Sequence, residues 1–451
     1  MDLVIRADYV VTLARDRPIL RQGAVGIEGD RIAYVGRADG LRERGEIEID
    51  ARGMAVFPGL VNAHTHMFQV LMRGLGADLS LLDWLKSVIW PLSLALTEED
   101  VYWAALLGAI ENLKSGVTTV VDNHYIHTSL YNTDKVLEAL RQSGLRGCVV
   151  RGYYDRIVPE PFREDIETVI RESERLIRKW HRREEGRLIV GVAPMTPWFC
   201  SMESMARVKE LSDRYQVPLH IHTAETKAEV KALMKEIGMR HVEYLARIGL
   251  LGPRTHVVHG VWVTEMEIQM LAKSGTHVIH NPVSNMYLGS GVAPVPRMLR
   301  SGVNVGLGTD GPASNNNQDI ITSLKFAACL HKVSNFNPMV ITARQVLEMA
   351  TVSGARLLGL EGELGTIELW KKADLIVVDM RKPHIAPVHD PISALVYNAN
   401  GNDVSTVVVD GKVVVQDGRV TTVDEHLVVE KATESAMSLI KRAKEIDFQG
   451  K

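Results

Sequence analysis

Apolar and polar positions change rhythm twice along the 451-residue chain. From residue 2 to residue 57 the apolar positions fall in short β-type runs. Residues 3–13 are rich in strand formers, and the stretches 24–27 and 31–35 flank Glu28-Gly29-Asp30, whose Gly-Asp step suits a tight hairpin. Two more short strands are expected over 46–50 and 54–57. From residue 58 strand-like runs alternate with helical ones. Eight runs stand out: 60–66, 117–123, 146–153, 187–194, 217–223, 255–260, 276–280 and 303–310. Thr97-Glu98-Glu99-Asp100 has the form of a capping box for a helix that ends before Gly116. A second helix runs from Asp134 to Gly144, and a charged amphipathic one covers 163–184. Helices over 319–333 and 341–358 complete the set.

Strands that alternate with helices imply parallel pairing and crossover connections, and eight such units imply a closed ring. After Gly362 the β rhythm returns over 373–379, 406–409 and 412–416, with Asp410-Gly411 as a turn. The expected fold is therefore α/β: a (β/α)8 TIM-type barrel over 58–362, with 1–57 and 363–425 joined in one small composite β-sandwich. Residues 426–451 are left for a C-terminal helix and tail, the amphipathic pattern running over 424–446.

Composition narrows the function classes. An apolar fraction of 46% and a charged fraction of 24% are those of a soluble globular protein. A net charge of -3 gives no reason to expect nucleic acid or an acidic membrane as partner. The three cysteines, Cys148, Cys200 and Cys329, stand far apart, which argues against a disulfide framework or a thiolate zinc cluster. With no apolar run of about 18 residues and no signal core at the start, a cytoplasmic location is the default expectation.

The strand ends carry the chemistry. In a barrel of this kind the active site lies at the C-terminal ends of the strands. The first run ends in Asn62-Ala63-His64-Thr65-His66. Residues two apart on a strand face one side, so both imidazoles aim at one point. The fifth ends in His220-Ile221-His222 with Glu225 three residues on, the sixth in His259, the seventh in His280 and the eighth in Asp310. Polar groups at so many mouth positions need a metal or one another. The simplest assignment is one divalent ion held by His64, His66, His222 and Asp310, three neutral imidazoles and a carboxylate with room left for water. Zinc is the first expectation, and iron or manganese suit the same donors. Such an ion lowers the pKa of a water towards 7 and makes hydroxide available. Glu225 is placed to move a proton between that water and substrate. His259 either polarises the attacked group or holds the water.

Pro58-Gly59-Leu60-Val61-Asn62-Ala63-His64-Thr65-His66, His222-Thr223-Ala224-Glu225, Val257-Val258-His259-Gly260, His280-Asn281-Pro282-Val283-Ser284-Asn285 and Gly308-Thr309-Asp310-Gly311 together resemble the amidohydrolase superfamily, and within it the mononuclear aminohydrolase branch. That branch includes methylthioadenosine/S-adenosylhomocysteine deaminases, guanine and 8-oxoguanine deaminases and triazine hydrolases. The resemblance extends to Lys371-Lys372-Ala373-Asp374-Leu375. It implies the same four metal ligands, Glu225 as the group that protonates a ring nitrogen, His259 steadying the attacking hydroxide, and Asp310 relaying a proton to departing ammonia. The fourth strand ends in Ala193-Pro194-Met195, without the lysine that bridges two ions in relatives, so a single ion is expected.

The substrate implied is a small heteroaromatic molecule bearing an amino group, and no membrane or nucleic acid. Arg73-Gly74, Asp78-Leu79-Ser80 and Trp84 resemble the first loop of the adenosine-type deaminases; Arg151, Arg163 and Ser314 fall where those enzymes have substrate contacts. Two departures stand against a nucleoside: Pro91 is followed by Leu92 and Ser93 without the glutamate that would grip ribose, and Met195 replaces a histidine. His66-Met67-Phe68-Gln69 and Asp122-Asn123-His124-Tyr125 look more like the 8-oxoguanine and triazine group. An apolar Met195 and Trp90 would suit a flat ring with small substituents, and Gln69 is a further expected substrate contact. An adenine-type nucleoside is the leading expectation; a free purine, a pterin or a triazine, with loss of ammonia or of chloride, is the alternative. A catalytically silent barrel would lack a ligand or the glutamate, and none is missing. Relatives are often dimers or larger, so a homo-oligomer is expected by analogy alone.

Overall fold

The computed structural model describes residues 1–16 and 18–446. The end of the expected tail, 447–451, lies outside the described residues.

Both chain ends build one sheet. β1 (Leu3–Val11), β2 (Ile19–Glu28), β3 (Arg31–Arg37) and β4 (Ile47–Pro58) join β13 (Leu375–Asp379), β14 (Val404–Val409), β15 (Lys412–Gln416) and β16 (Arg419–Val420) in the order β16-β15-β14-β13-β4-β1-β2-β3. Only β1 and β4 pair in parallel. Leu3, Ile5, Val25, Ile27, Val56, Leu375, Val377 and Val408 meet in a core of their own. Residues 46–50 and 54–57, expected as two strands, form the single β4. Gly53 sits within it at φ +75°, and the register against β1 shifts across this point, from Ala7 opposite Ala51 to Tyr9 opposite Ala55. A bulge absorbs the break in pattern that suggested a gap.

The second sheet is the barrel. β5 (Leu60–Thr65), β6 (Val117–His124), β7 (Arg146–Tyr153), β8 (Leu188–Pro194), β9 (Leu219–Thr223), β10 (Thr255–His259), β11 (His277–His280) and β12 (Val305–Leu307) follow one another in parallel. β12 is shorter than expected. The ring is completed just past its end, where the Asp310 N–H donates to the His64 carbonyl at 2.9 Å and the Thr309 N–H to Asn62 Oδ1 at 3.1 Å. Gly308 makes this seam possible: a Cβ there would run into the Asn281 side chain and come within 3.0 Å of the His64 backbone nitrogen. Val121, Val150, Ala193, Val258 and Ile279 fill the barrel interior.

Helices cover the outside, starting where their caps dictate. The capping box read at Thr97 is formed: Thr97 Oγ1 accepts from the Asp100 N–H at 3.2 Å while Asp100 Oδ2 accepts from the Thr97 N–H at 2.9 Å. The helix Glu425–Glu445 closes the described chain, and its Arg442 donates to the Ala95 carbonyl at 3.1 Å. Among the described residues no helix is long and apolar enough to cross a membrane.

Two of the joints between sheet and barrel lie side by side. Gly59 alone separates β4 from β5, and Arg146 on β7 reaches down to the sheet. Its guanidinium donates to both carboxylate oxygens of Asp374, each at 3.0 Å, and to Asp410. All three side chains are buried. Replacing Arg146 by Met should cost about 3–5 kcal/mol, because Asp374 would stay buried without its cation while Asp410 kept only Lys372, at 3.2 Å. Urea unfolding of the variant measures this.

Candidate active site

Four strand ends bring five polar side chains together. His64 and His66 come from β5, His222 from β9, His259 from the end of β10 and Asp310 from just past β12. All five are buried. Ring centroids lie 4.6 Å apart for His64 and His66, 4.9 Å for His64 and His222, and 5.4 Å for His66 and His222. Strand alternation explains the first three. It does not explain His259, since Val258 already faces the barrel interior. His259 has φ +70° and Asp310 φ +63°. Backbone conformations that side chains rarely adopt thus turn these two over the mouth, as happens at functional sites.

The donor chemistry fits a cation. His66 Nδ1 lies 2.7 Å from the Asn123 carbonyl, which can only accept, so His66 Nε2 is left with a bare lone pair. That atom is 3.5 Å from Asp310 Oδ1, and His64 Nε2 is 3.4 Å from the same oxygen. His64 Nε2 has no hydrogen-bond partner. Asp310 is held as the carboxylate by the Ser284 hydroxyl at 2.6 Å and the Gly311 N–H at 2.7 Å. Buried electron pairs facing one another repel unless a positive ion lies between them. Two sets of donor atoms, His64–His66–Asp310 and His64–His222–His259, each lie within 4.8 Å of one another.

Glu225 stands beside this cluster. Its Oε1 accepts from the Ser290 hydroxyl at 3.1 Å, and its Oε2 is 3.5 Å from His259 Nε2. Burial, with the Asp310 charge nearby, pushes its carboxyl up to about 8. His259 Nδ1 faces the amide nitrogens of Asn285 at 3.0 Å and Asn281 at 3.4 Å, which leaves Nε2 turned towards Glu225.

Above the cluster lies a narrow cavity of about 60 Å³. Gln69, Trp84, Met195 and Ser314 line it, together with His66, His222, Glu225, His259 and Asp310. Gln69 donates to the Tyr125 hydroxyl at 3.0 Å and leaves its own Oε1 without a partner. Trp90, Arg151 and Arg163 are not brought to this wall. Trp90 is buried beside Phe162, Arg151 is ion-paired to Glu164, and Arg163 donates to the Val158 carbonyl at 2.6 Å. Sequence reasoning missed Tyr125, Tyr154, Phe199, Leu288 and Glu229 in the wall. The available signal was their position, a few residues beyond a strand end. Over the cavity, Leu85–Ile89 forms a π-helical turn between the short helices Leu81–Trp84 and Trp90–Leu94, a feature frequent at functional sites. His280 turns away from the mouth and pairs with His331 on the outer helix Ile320–Ser334 at 3.1 Å.

Residues 55–414 match the amidohydrolase family. The chain belongs to that family. The expected resemblance thus holds over most of its length, and the relatives of this amidohydrolase align end to end. It is 42% identical over 441 residues to the 5'-deoxyadenosine deaminase of Methanosarcina mazei, covering 98% of this chain and 99% of the relative. It is also 42% identical over 432 residues to the 5-methylthioadenosine/S-adenosylhomocysteine deaminase of Syntrophobacter fumaroxidans, covering 95% and 96%. Among solved structures, an adenosine deaminase from Xanthomonas campestris with bound zinc superposes with a TM-score of 0.91 at 32% identity, covering 99% of both chains. A mutant atrazine chlorohydrolase from Arthrobacter aurescens, complexed with zinc and atraton, gives 0.91 at 26% identity and covers 96% of this amidohydrolase and 100% of that chain.

In the metal-free chain, Glu225 holds its proton to about pH 8, against an ordinary value of 4.5. The folded state thus binds a proton that the unfolded chain has already released. Glu225's contribution to stability is present below pH 4.5 and is lost as pH rises through about 8. Metal-free Glu225→Gln should therefore lose less stability than the wild type across that range. Urea unfolding at the two ends of the window measures it.

Proposed function

We propose that this amidohydrolase is a zinc-dependent hydrolytic deaminase of adenine-type nucleosides, releasing ammonia and leaving the ring in its hydroxy or keto form. The observation that carries the reading is the buried meeting of bare imidazole nitrogens and the Asp310 carboxylate directly below a narrow cavity, with a protonated Glu225 on its wall. The deaminase relatives and the zinc in a solved neighbour support it. His64, His66, His222 and Asp310 would hold a single ion, which when bound supplies a nucleophilic water at neutral pH.

The chain's own groups do the rest. Glu225, kept protonated by burial, gives its proton to a ring nitrogen as water adds to the amino-bearing carbon. His259, fixed by Asn285 and Asn281, would orient that water. Asp310, a carboxylate at rest, would take the proton that the attacking water gives up and hand it to the departing amine. Gln69 has a free carbonyl oxygen for an N–H of the ring, and Trp84 and Met195 supply flat apolar contact. Ser314 offers a hydroxyl at the far rim.

Substrate range follows from the wall. With Arg151 committed to Glu164 and Arg163 to a backbone carbonyl, the cavity wall carries no lysine or arginine, and its extra charged residue is Glu229. A free carboxylate on the substrate would find no counter-ion. We therefore place 5'-deoxy and 5'-alkylthio nucleosides ahead of S-adenosylhomocysteine. A cavity of about 60 Å³ is also far below the roughly 300 Å³ of an ordinary small-molecule site, so the Leu81–Ile89 wall has to move outward on binding.

Purified protein should carry about one zinc per chain, and His64→Ala or Asp310→Asn should lose it on metal analysis. Glu225→Gln should keep zinc while its rate falls by about 10²–10⁴-fold. An ammonia-release screen over 5'-deoxyadenosine, methylthioadenosine, S-adenosylhomocysteine, 8-oxoguanine and an aminotriazine decides the substrate. The nucleosides without a carboxylate should give the largest kcat/KM, and activity confined to the triazine would overturn the reading.

A further inference from the structure

His64 does not end at the mouth of the barrel. Its Nδ1 lies 2.8 Å from His220 Nε2, the two rings stacking with centroids 5.0 Å apart. His220 Nδ1 lies 3.4 Å from His256 Nδ1, and His256 Nε2 lies 2.7 Å from the carbonyl of Leu357. His220 and His256 are register partners on β9 and β10. Both point into the barrel interior beside Val258, Ile279 and Leu357, where almost every other side chain is apolar. Neither lines the substrate cavity.

Proton counting gives this chain one direction. A carbonyl oxygen can only accept, so His256 Nε2 carries the hydrogen. All three rings are fully buried, where an imidazolium would have to give up its hydration, so each is neutral. A neutral imidazole has one N–H. His256 Nδ1 is therefore bare and accepts from His220 Nδ1–H. His220 Nε2 is then bare and accepts from His64 Nδ1–H. His64 is left with its lone pair on Nε2, the atom that faces Asp310 Oδ1 and has no partner. His66 reaches the same state through one backbone carbonyl. His64 reaches it through two further histidines.

We infer that His220 and His256 are positioning residues for the metal centre: anchored on the Leu357 carbonyl, they lock His64 in the tautomer that presents Nε2 to the ion. The inference rests on the zinc-site reading above. A partner of this kind fixes ring orientation and raises ligand basicity, and its loss typically costs about 10–100-fold in metal affinity. The alternative is that the two rings only satisfy one another inside the core. That role would leave the ion's affinity untouched once the variant is folded.

Zinc affinity measured by chelator competition separates the two. His220→Leu should bind zinc about 10–100-fold more weakly than wild type. His220→Gln should recover much of the loss, because its side-chain oxygen can accept from His64 Nδ1. His256→Leu, which frees the His220 tautomer, should fall between. A second measurement needs no variant: ¹⁵N NMR of metal-free protein labelled at histidine should show His64 protonated on Nδ1. Folded His220→Leu with wild-type zinc affinity, or His64 protonated on Nε2, would overturn the inference. Wild-type protein that takes up no zinc would instead overturn the reading on which it rests.

Discussion

Lone pairs that face one another away from water are the constraint under which this molecule is built. His64 and His66 bring theirs within 3.5 Å of Asp310 Oδ1, behind a wall that admits little solvent. An arrangement of that kind is unfavourable in itself. The surrounding structure pins it from every side: the Asn123 carbonyl behind His66, the Ser284 hydroxyl behind Asp310, and a file of imidazoles behind His64. The β5–β12 seam, the positive φ of Asp310 and the glycine at 308 all serve the same meeting.

The same economy of charge governs the rest of the site. Glu225 keeps its proton because burial and the Asp310 carboxylate oppose its ionisation. One carboxyl is thereby protonated and its neighbour ionised, the division of labour that the proposed hydrolysis would need. The basic residues that might have answered a charged substrate are drawn off into Glu164 and a backbone carbonyl, which leaves the walls to rings and sulfur.

Much of this could be read from the chain. The parity of His64 and His66 on a strand, the eightfold alternation and the return of β rhythm after Gly362 gave the barrel, the paired chain ends and the cluster at the mouth. What escaped was whatever depends on partners remote in sequence. His280 looked like a mouth residue, yet the inward side of β11 belongs to Ile279, and a four-residue strand does not announce its own parity. Arg151 looked free because Glu164 sits in a loop thirteen residues on. Tyr125, Tyr154 and Phe199 lie beyond strand ends, where no periodicity says which way a side chain turns. His220 shared the parity of His222 but gave no hint that it lies a layer deeper and meets His64 from beneath.

The seam between β5 and β12 has a consequence for how the fold breathes. The ring closes there on isolated bonds past a strand end, and the donors from its two sides are those aimed at a common point. An ion held there, as proposed, would act as a clasp across the join. Occupancy and ring closure would then be one equilibrium: whatever stripped the centre would loosen the barrel at this stitch, and whatever pried the stitch apart would let the ion go.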